Sequence, residues 1–269
     1  MIRIGVRSFV AGGGNDADAQ AFIDAAAITD VTQQSAINTL VLGLKNYGIW
    51  TKMKAIYPFV GGTSSTHKWN LKDPRDLNAA FRLVFYGGIT HNANGISGNS
   101  TNGYADTFLT ESTSLNITSK HISMYQRNVL PSFSNTSMGI SDGVSPTNAT
   151  RFYLNFNSSN FSCIGQQQTI LAAVVTPQRG MFVLSKITTG QFKYFQNNLT
   201  PTIKSGGTDS NLNRSFSLLA VNNGSSIAEF SNANLAFASI GDGLTDTEAA
   251  NFYTAVQAYQ TTLNREIAP

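Results

Sequence analysis

The acid–base and nucleophilic chemistry open to this chain rests on few groups: fifteen carboxylates, three histidines and one cysteine in 269 residues. A retaining glycosidase needs two carboxylates about 5–5.5 Å apart, for instance from Glu-x-Asp-x-x-Glu on one strand. No such run occurs. Glu111 and Glu229 stand alone in the sequence, and Asp242, Asp246 and Glu248 fit a turn and a helix start. His67, His91 and His121 are far apart, with no pair at i, i+2 or i+4, so no zinc spacing is present. Asp209, Asn211 and Asn213 alternate like the start of a calcium loop. The later glycine and the bidentate glutamate are missing, and a turn explains the spacing. Gly12-Gly13-Gly14 has no Lys-Ser/Thr behind it, so it is no phosphate loop. Cys163 has no partner for an intrachain disulfide and reads as a small apolar residue. The residues predict no catalysis, no metal and no cofactor.

The polar stretch from His91 to Tyr104 holds the densest set of binding-type side chains. His91, Asn92, Asn94, Asn99, Asn102 and Tyr104 form the candidate glycan site. Amides bond sugar hydroxyls, and an aromatic ring stacks on the C–H face of a pyranose. The competing reading is a loop folded on itself through asparagine side-chain turns. Composition favours contact over chemistry. Charged residues are 12%, about half the usual share. In their place stand 26 Asn, 27 Ser, 27 Thr and 23 Gly. Net charge is +3 with scattered cations, which argues against nucleic acid as a partner. No run of about 18 apolar residues exists, so no membrane span is expected. The first residues, broken by Arg3, Gly5, Arg7 and Ser8, do not read as a signal peptide.

These side chains must be held by a sheet-rich framework. Residues 1–14 read as a short strand, Ile2, Ile4 and Val6, followed by a glycine hinge. Residues 15–50 read as two helices. Asn15 can cap the first, with Asp16 and Asp18 in its opening turn, and it runs to about Ile28. Thr29 or Asp30 caps the second, where Ile37, Leu40, Val41 and Leu44 make one apolar face before Gly48. Residues 51–244 carry about ten short strands, among them Arg151–Phe156, Thr169–Thr176 and Gln191–Gln196, bounded by Gly, Asn, Ser and Pro clusters, the pattern of a sandwich or barrel. Residues 245–269 are a final helix with a Thr245/Glu248 capping box. The predicted fold class is mainly β, an antiparallel β-sandwich with two N-terminal helices and one C-terminal helix.

Several segments carry a family resemblance. They are Asp16-Ala-Asp-Ala-Gln-Ala-Phe-Ile, Ala36-Ile-Asn-Thr-Leu-Val, Gly48-Ile-Trp-Thr-Lys-Met-Lys-Ala-Ile-Tyr-Pro-Phe-Val-Gly-Gly and His67-Lys-Trp-Asn-Leu-Lys. Asn102-Gly-Tyr-Ala-Asp-Thr and Ile240-Gly-Asp-Gly-Leu-Thr-Asp-Thr-Glu-Ala complete the set. Together, over about residues 15–267, the chain resembles bacteriophage virion appendage proteins (tail fibres, spikes and head fibres) of phages with Bacteroidetes hosts. Their body is similar to concanavalin A-like, LamG-type jelly rolls, a fold that hosts lectins, enzymes and scaffolds alike. The resemblance implies a location on the virion surface after synthesis in the host cytoplasm. It implies a homo-oligomer, with a trimer the first expectation and a pentamer the second, and contact with host-surface glycans. Residues 1–14 fall outside the shared region and are expected to bind other virion proteins. A glycan depolymerase and a purely architectural capsid or tail decoration are the alternative functions.

Overall fold

Asp16 opens the first helix, its side chain accepting from the Asp18 N–H at 3.0 Å. Helix α1 (Ala17–Ala25) ends three residues before Ile28, because Ala27 adopts φ 51° and turns the chain. Asp30 then caps α2 (Val31–Asn46) by accepting from the Gln33 N–H at 2.8 Å. Ile37, Leu40, Val41 and Leu44 are all buried on one face of α2, as their spacing predicts. The structure is a computed structural model. It describes residues 14–130, 135–144, 148–154, 160–165, 169–173, 179–197 and 200–267, with backbone alone for 154, 160–165 and 169–173. The expected N-terminal strand, the far ends of the strands expected over 151–156 and 169–176, and the Cys163 side chain lie outside what is described.

The chain continues through β1 (Met53–Tyr57), α3 (Ser64–His67), β2 (Val84–Tyr86), β3 (Thr90–Asn92) and β4 (Gly95–Ser97). Next come β5 (Tyr104–Thr110), α4 (Glu111–Ser114), β6 (Lys120–Gln126), β7 (Asn135–Ser141) and β8 (Ala149–Leu154). Strands β9 (Asn160–Gly165), β10 (Thr169–Ala173), β11 (Gly180–Thr188), β12 (Gln191–Gln196) and β13 (Thr202–Ser205) follow. The last elements are β14 (Ser215–Leu218), β15 (Val221–Asn222), β16 (Ile227–Ala228), β17 (Asn234–Gly241) and α5 (Asp246–Thr262).

These strands make two sheets. The central sheet has the order β13-β12-β11-β6-β17-β4-β3, with β1 also paired to β17. The outer sheet has the order β10-β9-β8-β7-β14-β5-β2, and the β15–β16 hairpin pairs with β7. Pairing is antiparallel apart from β15 with β7 among the described pairs. One core lies between the sheets and includes Tyr57, Leu109, Ile122, Met138, Phe152, Phe182, Phe216 and Leu235. A second core lies between the central sheet and the helices, with Phe22, Leu40, Tyr125, Val183, Phe237, Phe252 and Tyr259. The central sheet is thus buried on both faces, which explains the unbroken burial of β6. A bulge in β17 between Leu235 and Phe237 turns Ala236 and Phe237 both toward the helices. Fully burying a Phe or Leu side chain contributes about 1.5–3 kcal/mol, so the helices are part of the domain and not an appendage to it.

Arg265 locks the C-terminus onto this framework. Its buried guanidinium donates to Pro58 O, Phe59 O, Ala93 O, Ala236 O and the Gln260 side chain, all within 3.3 Å. Five acceptors take up the donors of a group that burial would otherwise penalise heavily.

Candidate functional site

The outer sheet turns one face to the inter-sheet core and the other away from the helices. Ala105 and Leu109 point into the core, so Tyr104 and Asp106 on the same strand point outward. By the same alternation Phe152 points in, while Arg151 and Tyr153 point out. Register lines up a transverse row of Val84, Asp106, Ser217, Gly139 and Arg151 on this face, with Val84 and Asp106 half-buried and Ser217, Gly139 and Arg151 buried.

Tyr86 and Tyr104 face each other across β2 and β5. Their rings stack with centroids 4.7 Å apart and planes 11° apart, and Tyr86 is 42% exposed. Phe230 lies 6.2 Å from the Tyr104 ring. Partial burial, then the neighbouring Tyr86 and the Asp106 charge, push the Tyr104 hydroxyl pKa up, so the Tyr104 ring stays neutral at physiological pH.

The loop beside the platform is closed by its own amides. Asn99 Oδ1 accepts from the N–H groups of Thr101, Asn102 and Gly103, each at 3.0 Å. Asn99 Nδ2 donates to Asn102 Oδ1 at 2.9 Å, and that oxygen also accepts from the Gly88 N–H. Gly87, at φ 62°, leaves no room for a side chain, since a Cβ there would sit 2.1 Å from Asn102 O. Asn92 Oδ1 accepts from the Asn94 N–H at 2.8 Å, forming the tip of the β3–β4 hairpin. Three of the four amides expected to meet a sugar, those of Asn92, Asn99 and Asn102, are thus engaged within the chain's own turns, and the chain between them is part strand. His91 turns away from the outward face. Its ring packs edge-on against Phe85 at 4.5 Å, and its Nδ1 lies 3.1 Å from His67 Nδ1. Of the six predicted residues, Asn99, Asn102 and Tyr104 cluster at the platform, while His91, Asn92 and Asn94 sit on the central-sheet edge.

Phe230 adjoins a second feature. Glu229, at φ 53°, is tied to β7 and β8: Thr136 N–H donates to Glu229 O at 2.9 Å, Thr136 Oγ1 to Glu229 Oε2 at 2.7 Å and Arg151 Nη1 to the same oxygen at 2.6 Å. A left-handed glutamate is a strained conformation of the kind held at binding sites. The Arg151 guanidinium also stacks over Tyr153 at 4.8 Å. Arg151 and Glu229 line a cavity of about 270 Å³ with Ser141, Gly143, Val144, Val221, Asn223 and Ala228. Sequence reasoning did not single out Tyr86, Arg151, Tyr153, Glu229 or Phe230. The available signal was the i, i+2 pair Arg151 and Tyr153 on one strand face.

Other polar groups are interior. Glu111 is fully buried; it accepts from Lys120 Nζ at 2.7 Å, Thr150 Oγ1 at 2.8 Å and the Leu212 N–H at 2.7 Å. Lys120 also donates to Asn211 Oδ1 and Ser210 O, and burial lowers its pKa to about 8. Lys186 pairs with Asp209. Asp209 and Asn211, two of the three alternating residues expected to form a turn in place of a calcium loop, therefore each receive a lysine ammonium. His121 Nε2 lies 3.1 Å from Ser239 Oγ, but its Nδ1 meets the Asp242 carbonyl, and the ring and the hydroxyl are both buried, the ring against Phe252 of α5. That pair has no route to substrate. Among the described residues no group of three or more His, Cys, Asp or Glu could hold a metal ion, and no helix is long and apolar enough to cross a membrane.

No family model and no curated protein matches the chain. Among solved structures it is similar to domain 4 of AbnA, a GH43 extracellular arabinanase from Geobacillus stearothermophilus, with 13% identity and a TM-score of 0.51 over 75% of this chain and 98% of that one. It is also similar to the binding domain of Paraclostridial Mosquitocidal Protein 1, with 8% identity and a TM-score of 0.50 over 77% of this chain and 53% of that one. At such identities the likeness is one of fold. It bears out the mainly β, jelly-roll sandwich expected from the sequence.

Proposed function

We propose that this protein is a glycan-binding module whose site is the outward face of the outer sheet. The observation that carries the reading is the Tyr86/Tyr104 stack with Phe230 beside it, Phe230 being the chain neighbour of Glu229 in the Arg151/Glu229 cavity. Aromatic faces take the C–H side of a sugar ring, and fixed polar groups next to them orient its hydroxyls. The fold supports the reading, since the similar domain 4 of AbnA was solved in complex with arabinotriose. Binding without catalysis is supported by the carboxylates at hand: Glu111 is sealed against Lys120, and Glu229 is held by Arg151.

The proposed setting is the surface of a virion appendage, assembled as a homotrimer and attached through residues 1–14. Its support is the segment resemblance, together with a sparsely charged, hydrogen-bonding composition suited to neighbouring subunits and host glycans. Binding of the full chain to an array of bacterial-surface glycans tests the reading. Binding to at least one glycan class, with no reducing ends released on prolonged incubation, is the expected result. Release of reducing ends would establish the depolymerase instead. No binding at all, with the outward face protected in an assembled oligomer, would establish the architectural role.

A further inference from the structure

The cavity beside Phe230 carries information about ligand charge. Among the described residues its charged lining residues are Arg151 and Glu229, one of each sign. The carboxylate is fixed in orientation, because Oε2 accepts both Arg151 Nη1 at 2.6 Å and Thr136 Oγ1 at 2.7 Å. Oε1 accepts no bond from the described residues, and the side chain is 30% exposed. The remaining wall supplies the Ser141 hydroxyl, the Asn223 amide and small apolar surface. A fixed, accessible carboxylate oxygen is an acceptor for a hydroxyl and a repellent for a second carboxylate, and repulsion grows as the site is desolvated.

We propose that this cavity selects a neutral monosaccharide unit, one of whose hydroxyls donates to Glu229 Oε1, and rejects uronic and sialic acid units. The proposal rests on the reading of the outward face as a glycan site and adds the charge class of its ligand. Arg151 acts here as the counter-charge that holds Glu229 in place. Glu229→Gln keeps the shape and removes one charge, so the cavity becomes net positive.

The test is calorimetric titration of the full chain with neutral trisaccharides of arabino, gluco, manno and galacto configuration and with the matching uronic acid trisaccharides and sialyllactose. Wild type is expected to bind at least one neutral trisaccharide about tenfold or more tighter than any acidic ligand, the worth of one charge-assisted hydrogen bond. Glu229→Gln is expected to lower neutral affinity by about tenfold and raise uronate affinity by a similar factor. Preference of the wild type for an acidic ligand overturns the proposal and leaves the glycan reading standing. No binding to any ligand overturns both. The wild-type preference decides the matter even where Glu229→Gln fails to fold. Unchanged neutral affinity in a folded Glu229→Gln protein overturns the proposal as well.

Discussion

Tyr104 on β5 lies flat against Tyr86 on β2, centroids 4.7 Å apart and planes 11° apart. The two are direct cross-strand partners, so the stack is set by sheet register and needs no ligand to form. A ready-made platform loses little conformational freedom when a sugar docks. Tyr104→Ala removes half of it. The expected outcome is a stability loss of about 0.5–1.5 kcal/mol beyond area effects, the usual worth of an aromatic pair, and a much larger relative loss of glycan binding. Parallel thermal melts and titrations check this.

Gly139 faces Arg151 across β7 and β8. A Cβ at position 139 would lie 2.1 Å from the Arg151 Cβ. Gly139→Ala must therefore displace Arg151 from Glu229. Overpacking of this kind costs about 1–3 kcal/mol, and glycan affinity should fall with it. Denaturant unfolding gives the first quantity and calorimetry the second.

Glu111 and Lys120 form an ion pair with side-chain exposures of 0% and 1%. Removing one partner of such a pair leaves a buried charge uncompensated, at about 3–5 kcal/mol. Glu111→Ala should be destabilised by that amount. Glu111→Ala with Lys120→Met should recover much of it, which separates the charge effect from simple loss of packing.

Two histidines make stability depend on pH. Burial, then the nearby His91 and Arg265, lowers the His67 pKa to about 3. Burial lowers that of His121 to about 4 against weaker raising contributions from Asp242. The Gly62 N–H donates to His67 Nε2, so the His67 proton sits on Nδ1 and points at His91 Nδ1. In the unfolded chain these rings titrate near about 6.5. Between that value and the folded pKa the unfolded state binds more protons, so stability falls as pH falls. The loss begins near about pH 6.5 and continues to about 4 for His121 and about 3 for His67. Denaturant midpoints measured from pH 7 to 5 should drop in the wild type and drop less in His121→Asn. A flat wild-type profile would refute the assignment.

Much of the framework was legible because local chemistry dictates it. Asp30 and the Thr245/Glu248 box cap helices in the structure as their sequence positions imply, and β12 spans the six residues its alternation marks. Strand β5 was not legible. Its inward positions are Ala105, Thr107 and Leu109 while Tyr104 and Phe108 stand at the less buried positions, so hydrophobicity does not alternate with the pleat. The hairpin β3–β4 was hidden for a related reason: its turn uses Asn92 and Asn94, which also read as loop. Tyr104 could be picked out as an aromatic beside a polar loop. Its partner Tyr86 and the Arg151–Glu229 pair could not, because cross-strand register and a contact spanning 78 residues leave no local trace.

The central claim is that the outward face of the outer sheet binds glycan through the tyrosine stack. Glycan-array binding of the wild type, compared with a folded Tyr86→Ala variant, tests it most directly. Tyr86 is exposed and contributes little to the core, so the fold should survive the change. The account predicts that the glycan bound by the wild type is weakened by about five- to tenfold in the variant, as stacking energies of about 1–1.5 kcal/mol require. Equal binding by both proteins, at equal melting temperature, would contradict it.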